Sequence, residues 1–456
     1  MTIYDCIIVG AGYSGLAAAK SLREAGKDVL ILEARDRVGG RVRTKHYPDG
    51  RYEDHGAAFL GVQQDQMYAL AREFNIHTFD VPTEGKSVLR YAGKPFRYSG
   101  LIPPLPYLSV LDAALSVNRF EAMAEKIDLE EPWKSPNAEY LDSMTLEEWL
   151  QRQTWTKAAK DLFRVTADLL WGTSTSQLSL LHCLWFSKAG VNLTVLGSVK
   201  DGGQERLIEG GAQSIANEIH RILGKLVHLG EPVIGVDQRE GKTVAVETTK
   251  ATYQARHVIF AVPPPLVLKV DFEPPLPVQK THLLQRMPMG ATYKVILTYP
   301  KAFWHEEGLN GEILSLEGFL AYGLDVSPED RSRGVFMAFV VGAKAYRFAE
   351  MDEKTQKATI LKEFVECFGE DAAMPKHMTV HTMMDEQWSS GCPVAGMPPG
   401  ALTTLGTWLR KPIGRVHWAG TELATVWSGY MEGAVRSGQR AAQEVLEAMK
   451  LGGLDE

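Results

Sequence analysis

Cysteine is scarce in this chain. The four residues Cys6, Cys183, Cys367 and Cys392 in 456 have no metal-ligand spacing and are too few for a disulfide framework. A disulfide-stapled secreted fold and a cysteine-held metal site are thereby excluded, and a reducing compartment is the default. Long apolar runs are also missing. A membrane helix needs about eighteen apolar residues, and the nearest approach, Leu101 to Val117, is broken by Pro103, Pro104, Pro106 and Asp112. Met1-Thr-Ile-Tyr-Asp5 leads straight into a strand-like segment, with no signal peptide. Leu454-Asp-Glu456 is no peroxisomal tripeptide. These absences predict a soluble, cytoplasmic protein without an integral membrane anchor. Charge of one sign is not in excess either. The 49 basic and 56 acidic residues leave a net charge of −7, which argues against nucleic acid or an acidic membrane surface as partner. Internal repeats and low-complexity segments are absent.

What is present is a globular composition, 45% hydrophobic and 23% charged, on a chain long enough for two or more domains. Asp5–Val9 is a short apolar run of the kind a buried parallel strand requires. A glycine turn follows, then a helical Gly15–Ala25 stopped by Gly26, then a second strand over Asp28–Leu32. This order opens a doubly wound fold. Val233–Asp237, Val244–Thr248 and Tyr253–Ala255 read as a small antiparallel meander, after which His257–Val262 returns as a buried strand. Arg415–Ala419 is another strand and Tyr430–Lys450 a long amphipathic helix. Thr145-Leu-Glu-Glu148 is a capping box. Ala291–Tyr299, Gly334–Val341 and His377–Met383 alternate like half-buried strands. The fold class predicted is α/β with α+β character, in two interleaved domains. A Rossmann-type nucleotide domain takes 1–82, 206–281 and 385–456; a substrate domain with a mixed sheet and helices takes 83–205 and 282–384.

Two glycine-rich turns carry the chemistry. Gly10-Ala-Gly12-Tyr-Ser14-Gly15 lies between a strand and a helix, the context a dinucleotide fingerprint needs. Gly10 permits the tight turn, Gly12 the approach of a pyrophosphate, and Gly15 close packing of helix on strand. Glu33 ends the second strand, placed to accept hydrogen bonds from an adenosine ribose. Ala34-Arg35-Asp-Arg-Val-Gly39-Gly40-Arg41 offers further N–H groups and a guanidinium to the pyrophosphate. Some four hundred residues later come Val416-His-Trp-Ala-Gly420-Thr421-Glu422 and Trp427-Ser-Gly429-Tyr430-Met431-Glu-Gly-Ala434. A second strand-to-helix glycine turn is explained most simply by a long cofactor held at both ends, pyrophosphate at the first turn and a reactive ring at the last. Gly429, Gly433 and Gly438 would let ring and backbone approach closely. The N-terminus of the last helix supplies positive potential.

Ala34–Arg41 together with Trp418–Ala434 resembles the flavin-dependent amine oxidase family, closest to the monoamine oxidases. Gly202-Gly-Gln204-Glu-Arg206, Met287-Pro-Met-Gly290 with Lys294, and Gly391-Cys392 followed by Pro398-Pro-Gly400 extend the resemblance over nearly the whole chain. It implies FAD as cofactor, with Gly420, Thr421 and Glu422 at the ribityl chain and pyrophosphate, Val233 against adenine, and Gly56-Ala57-Ala58-Phe59 beside the ring. Cys392 matches the cysteine that monoamine oxidases join to the flavin as an 8α thioether. Here Pro393 follows it where the family has tyrosine, and that leaves the linkage open. Tyr430 matches one wall of the family's aromatic cage. The second wall falls on Pro393, so another ring, Phe59, Trp388 or Tyr322, would have to stand in. Lys294 matches the lysine that holds a water at flavin N5 and assists the reaction with oxygen; its strand face, shared with Thr292 and Ile296, is mixed. Gln204, Tyr322, Leu169 and Leu170 match substrate-cavity positions, and Gly197 replaces a bulkier gating side chain, implying an undivided cavity. Leu101–Leu108 is either an entrance lining or a proline-stiffened loop. His182 reads as a core histidine.

The resemblance implies oxidation of a primary amine by O2 to imine and aldehyde, with release of ammonia and hydrogen peroxide. The partners implied are the amine and O2, and a homodimer is left open. An L-amino-acid oxidase would need an arginine aimed at the substrate carboxylate, and none is clearly placed. A polyamine oxidase would need acidic groups along its tunnel, whereas the cavity matches are mainly apolar. A flavin-binding protein without activity would have lost Lys294 or filled its cavity. The family's C-terminal membrane helix is not expected, because the chain stops just after the last helix.

Overall fold

The computed structural model describes residues 2–100 and 102–452. Leu101 and the Leu454–Glu456 tripeptide therefore lie outside the described residues. An eight-stranded sheet organises one half of the chain. Its order is Val227–His228, Val29–Leu32, Ile3–Val9, Thr252–Phe260, Val244–Thr248, Val233–Asp237 and Asp271–Glu273. Val416–Trp418 pairs in parallel with the end of Thr252–Phe260. The central strands are parallel, and all four residues of Val29–Leu32 are buried, the apolar runs that a sheet covered on both faces demands.

The meander is not a separate unit. Tyr253–Ala255 and His257–Phe260 form one strand, Thr252–Phe260, which pairs antiparallel with Val244–Thr248 early and parallel with Val416–Trp418 later. One edge of a nine-residue strand has room for two successive partners. Helix Tyr13–Glu24 follows the first strand and packs along the last helix, Met431–Gly452. At their crossing a Cβ on Gly438 would stand 2.0 Å from the Ser14 carbonyl oxygen. Gly438 thus serves helix-on-helix contact, not the approach of a ring.

A seven-stranded sheet, in the order His377–Thr382, Thr292–Tyr299, Gly334–Val341, Tyr322–Asp325, Leu309–Ser315, Lys86–Tyr91 and Lys94–Tyr98, forms the second half. Its neighbours are antiparallel except for Leu309–Ser315 against Lys86–Tyr91. Thr292–Tyr299 and Gly334–Val341 were expected to be half-buried, yet nearly every residue in both is buried. Helices from 107–196 close one side, and Phe336, Phe348 and Phe364 pack the other. Helix Leu146–Gln153 opens on the capping box, with Thr145 Oγ1 accepting from the Glu148 N–H at 3.1 Å. Every strand of the first sheet falls within 1–82, 206–281 or 385–456, and every strand of the second within 83–205 or 282–384. No helix among the described residues is long and apolar enough to cross a membrane.

Candidate active site

Two cavities meet between these sheets, and the glycine turns shape the first, of about 490 Å³. Gly10 has φ +101° and Gly15 touches the turn so closely that a Cβ would lie 1.9 Å from the Gly10 carbonyl oxygen. The helix from Tyr13 has Gly12 as its N-cap and no side-chain cap, so its first N–H groups face the cavity uncapped. Such an end suits a pyrophosphate. Glu33, 3% exposed, holds the turn by accepting from the N–H groups of Ala11 at 2.7 Å and Arg35 at 2.9 Å. Gly10, Gly12, Ser14, Glu33, Ala34, Arg35, Gly39, Gly40, Arg41 and Val233 line this end; Gly15 lies behind it. The Gly39 N–H, expected to face a phosphate, instead donates to the Ala11 carbonyl at 2.9 Å.

The other end of the cavity is walled by Gly56, Ala57, Ala58, Phe59, Trp388, Cys392, Gly420, Thr421, Gly429, Tyr430 and Met431. Gly429 takes φ +85° with the Phe186 ring against its back, so a side chain there would clash. Thr421 Oγ1 donates to the Tyr430 carbonyl at 2.8 Å and ties the strand end to the last helix. Glu422 does not reach the cavity. Its carboxylate accepts from Arg41 Nη1 at 2.6 Å and Nη2 at 3.0 Å. Its assignment to the cofactor is therefore corrected: it neutralises and orients Arg41, which does line the cavity.

Lys294 enters from the second sheet, 6% exposed, and donates to the carbonyls of Asp54, at 2.9 Å, and Gly56. Burial pushes its ammonium down to about 8, although Asp54 and Cys392 pull the other way. Burial also pushes the Asp54 carboxyl up to about 6, against the Thr44 hydroxyl and Lys294. Burial raises the Cys392 thiol, while Lys294 and Arg41 oppose it.

The second cavity, about 680 Å³, shares Ala57, Ala58, Phe59, Phe339, Pro393, Gly429, Tyr430 and Met431 with the first. Leu169, Leu170, Gln204 and Tyr322 line it, as does Gly197, beyond whose Cα there is room. Gly100 and Pro103 lie on its wall, at the base of the proline-rich loop.

These features have known counterparts. The family model for flavin-containing amine oxidoreductases matches residues 13–446. The chain belongs to this family. It is 37% identical over 450 residues to the flavin-containing amine oxidase B of Sus scrofa, across 98% of this chain and 86% of that one. Against the flavin-containing amine oxidase A of Equus caballus the identity is 36% over 452 residues, with the same coverage. Among solved structures, cyclohexylamine oxidase from Brevibacterium oxydans IH-35A superposes with a TM-score of 0.94 at 32% identity, covering 98% and 100% of the two chains. Putrescine oxidase bound to putrescine gives 0.94 at 30% identity, covering 98% and 99%. The protein is thus a FAD-dependent amine oxidase.

Three features of this amine oxidase escaped sequence reasoning. Phe339, the least buried residue of Gly334–Val341, joins Tyr430 and Phe59 where the cavities meet, with Lys294 Nζ 5.5 Å from its ring centre. Its pairing opposite Lys294 is a matter of strand register that spacing alone does not reveal. Of the rings expected to replace the missing cage wall, Phe59 stands at the junction, while Trp388 lines only the first cavity and Tyr322 only the second. His381 also lines the first cavity, stacked on His55 with ring centres 4.5 Å apart, and is pushed down to about 3 by burial and by His55. Glu312, an acidic residue, lines the second cavity, where mainly apolar matches were anticipated. His182 sits in the core, its ring nitrogens without partners and its imidazolium pushed down to about 4 by burial.

Proposed function

We propose that this enzyme oxidises primary amines at the junction of its two cavities, with O2 as acceptor, to imine and then aldehyde, ammonia and hydrogen peroxide. The observation that carries this reading is the convergence there of Tyr430, Phe59 and Phe339, with the buried Lys294 beside Phe339 on the wall of the first cavity. Bound FAD would supply the two-electron acceptor for the hydride equivalent from the amine's α-carbon and the route of those electrons to O2. Gly10, Gly12, Ser14, Glu33, Ala34, Arg35, Gly39, Gly40, Arg41 and Val233 would hold its adenosine and pyrophosphate. Gly56, Ala57, Ala58, Phe59, Trp388, Cys392, Gly420, Thr421, Gly429, Tyr430 and Met431 would enclose the ring end. Tyr430 and Phe59 or Phe339 narrow the approach and exclude bulky groups. Leu169, Leu170, Gln204 and Tyr322 receive the rest of the amine. This apolar wall favours the neutral amine, so deprotonation needs no strong general base. Lys294 keeps a proton donor beside the ring for the oxygen step. Cys392 is the tether through which a thioether would form. The division at 1–82, 206–281 and 385–456 against 83–205 and 282–384 separates FAD binding from substrate binding, a reading supported by the way the strands sort between two sheets.

No arginine among the described residues lines the second cavity, which speaks against an L-amino-acid substrate. Oxygen uptake by the purified yellow protein with benzylamine, an aliphatic amine, putrescine and leucine tests the reading. Turnover of leucine alone would sink it.

A further inference from the structure

The second cavity contains an acidic side chain, Glu312, with which no basic side chain among the described residues pairs. Glu312 Oε1 accepts from the Tyr322 hydroxyl at 2.8 Å and Oε2 from the Ser87 hydroxyl at 2.7 Å. The Ser87 oxygen in turn accepts from Asn310 Nδ2 at 3.0 Å, which leaves its proton available to Glu312. Burial and Glu312 both hold the Tyr322 proton in place, so it too donates. Each carboxyl oxygen thus has one hydroxyl partner, an arrangement suited to an acceptor-only carboxylate. Such a group accepts about four hydrogen bonds, and these donors take two. Among the described residues no lysine, arginine or histidine pairs with it. Lys200 is the one cationic side chain on the cavity wall, and it is exposed.

The register places this carboxylate at the far side of the cavity from the reacting end. Lys294, Phe339, Tyr322 and Leu314 are successive partners across four strands and share one face. Three inter-strand steps separate Lys294 from Leu314, about 14 Å. Glu312 lies two residues from Leu314 and so on the same face. Leu169, Leu170, Phe163 and Phe186 also line the cavity. Its walls thus combine apolar side chains with aromatic rings where it meets the first cavity and an acidic side chain on the strand three steps away.

We propose that Glu312 anchors a second, cationic amine at the remote end of the substrate, so that the enzyme selects diamines or longer polyamines over monoamines. The ammonium supplies the missing counter-charge and occupies the two free acceptor positions, while the methylene chain lies along the leucines and the neutral amine reaches Tyr430. This inference rests on the amine-oxidase reading of the same site and adds a substrate class to it.

The test compares kcat/KM for an n-alkylamine and the α,ω-diamine of equal chain length, over a series of lengths, in the wild-type holoenzyme and in Glu312→Gln. The expected wild-type result is a diamine preference of about tenfold or more, carried by KM, the scale of one hydrogen bond between charged groups. In Glu312→Gln, which retains an acceptor for Tyr322 and Ser87, the preference collapses and KM for the diamine rises. Equal kcat/KM for diamine and monoamine in the wild type, at every length, overturns the inference while leaving the amine-oxidase reading intact. An undiminished preference in a folded, flavin-loaded Glu312→Gln overturns it as well. If neither amine bleaches the flavin anaerobically, the underlying reading fails instead.

Discussion

Replacing Lys294 by methionine separates two consequences of one buried ammonium. The fall from its ordinary 10.5 to about 8 converts at about 1.4 kcal/mol per pH unit to roughly 3 kcal/mol. The unfolded chain keeps this proton up to about pH 10.5, whereas the folded protein releases it near 8. Between those values the unfolded state binds more protons, so stability rises with pH; below about 8 the penalty is full and flat. Wild type should therefore gain most of that 3 kcal/mol relative to Lys294→Met between pH 7 and pH 10. The hydrogen bonds to the Asp54 and Gly56 carbonyls do not contaminate the comparison, because ammonium and amine both donate them. Asp54 titrates too low to matter. Its carboxyl, raised to about 6, loses stability as pH climbs from 3.8 to 6 and is constant above 7. Chemical denaturation of both holoenzymes at the two pH values reads the difference. Parallel pH profiles would refute the burial argument. In stopped flow, the variant should still be reduced by amine anaerobically but be reoxidised by O2 more slowly, by on the order of a hundredfold, the usual loss for one preorganised donor.

The remaining predictions concern how the cofactor is held. If Cys392 is the tether, acid precipitation leaves the wild-type pellet yellow, and Cys392→Ala releases the colour to the supernatant; colour released from wild type rules the thioether out. Arg41→Met strands the Glu422 carboxylate, whose side chain is 1% exposed, and should cost about 3–5 kcal/mol. Adding Glu422→Gln should recover much of that loss, and a single variant as stable as wild type would contradict it. Gly438→Ala forces a methyl against the Ser14 carbonyl, so denaturation should show a loss of at least about 1–3 kcal/mol, with lower flavin content as the fingerprint helix shifts.

Much of the cofactor's grip was legible because it is built from backbone. The positive φ at Gly10 and Gly429, and the contact of Gly15 with the turn, are demands that only glycine meets, and they leave a mark in local spacing. Glu422 was misread because its partner, Arg41, is 381 residues away and local context showed only an acidic residue after a strand. Gly438 does allow a close backbone approach, but to the Ser14 carbonyl on a helix from the opposite end of the chain, a partner that local context does not show. Tyr253–Phe260 looked like two strands because its flanks change partner midway, altering burial along a single backbone run.

The substrate cavity is the reverse case. Its walls are side chains brought together by register across the seven-stranded sheet, and register is fixed by pairings distant in sequence. Phe339 reaches the reacting end only because it lies opposite Lys294, and Glu312 reaches the far end only because Leu314 lies opposite Tyr322. Within its own strand Glu312 is one more polar residue in an alternating run, which is why an apolar cavity was expected. Once Ser87 and Tyr322 are seen to donate to it, the same residue is an acid that no basic side chain among the described residues pairs with, in a largely apolar space. A charge left in such a place is costly unless something neutralises it. The cavity admits a molecule that already carries an amine, so the economical neutraliser is a second amine on that molecule. Backbone thus fixes the cofactor, and a few cross-strand pairings fix which amine is taken.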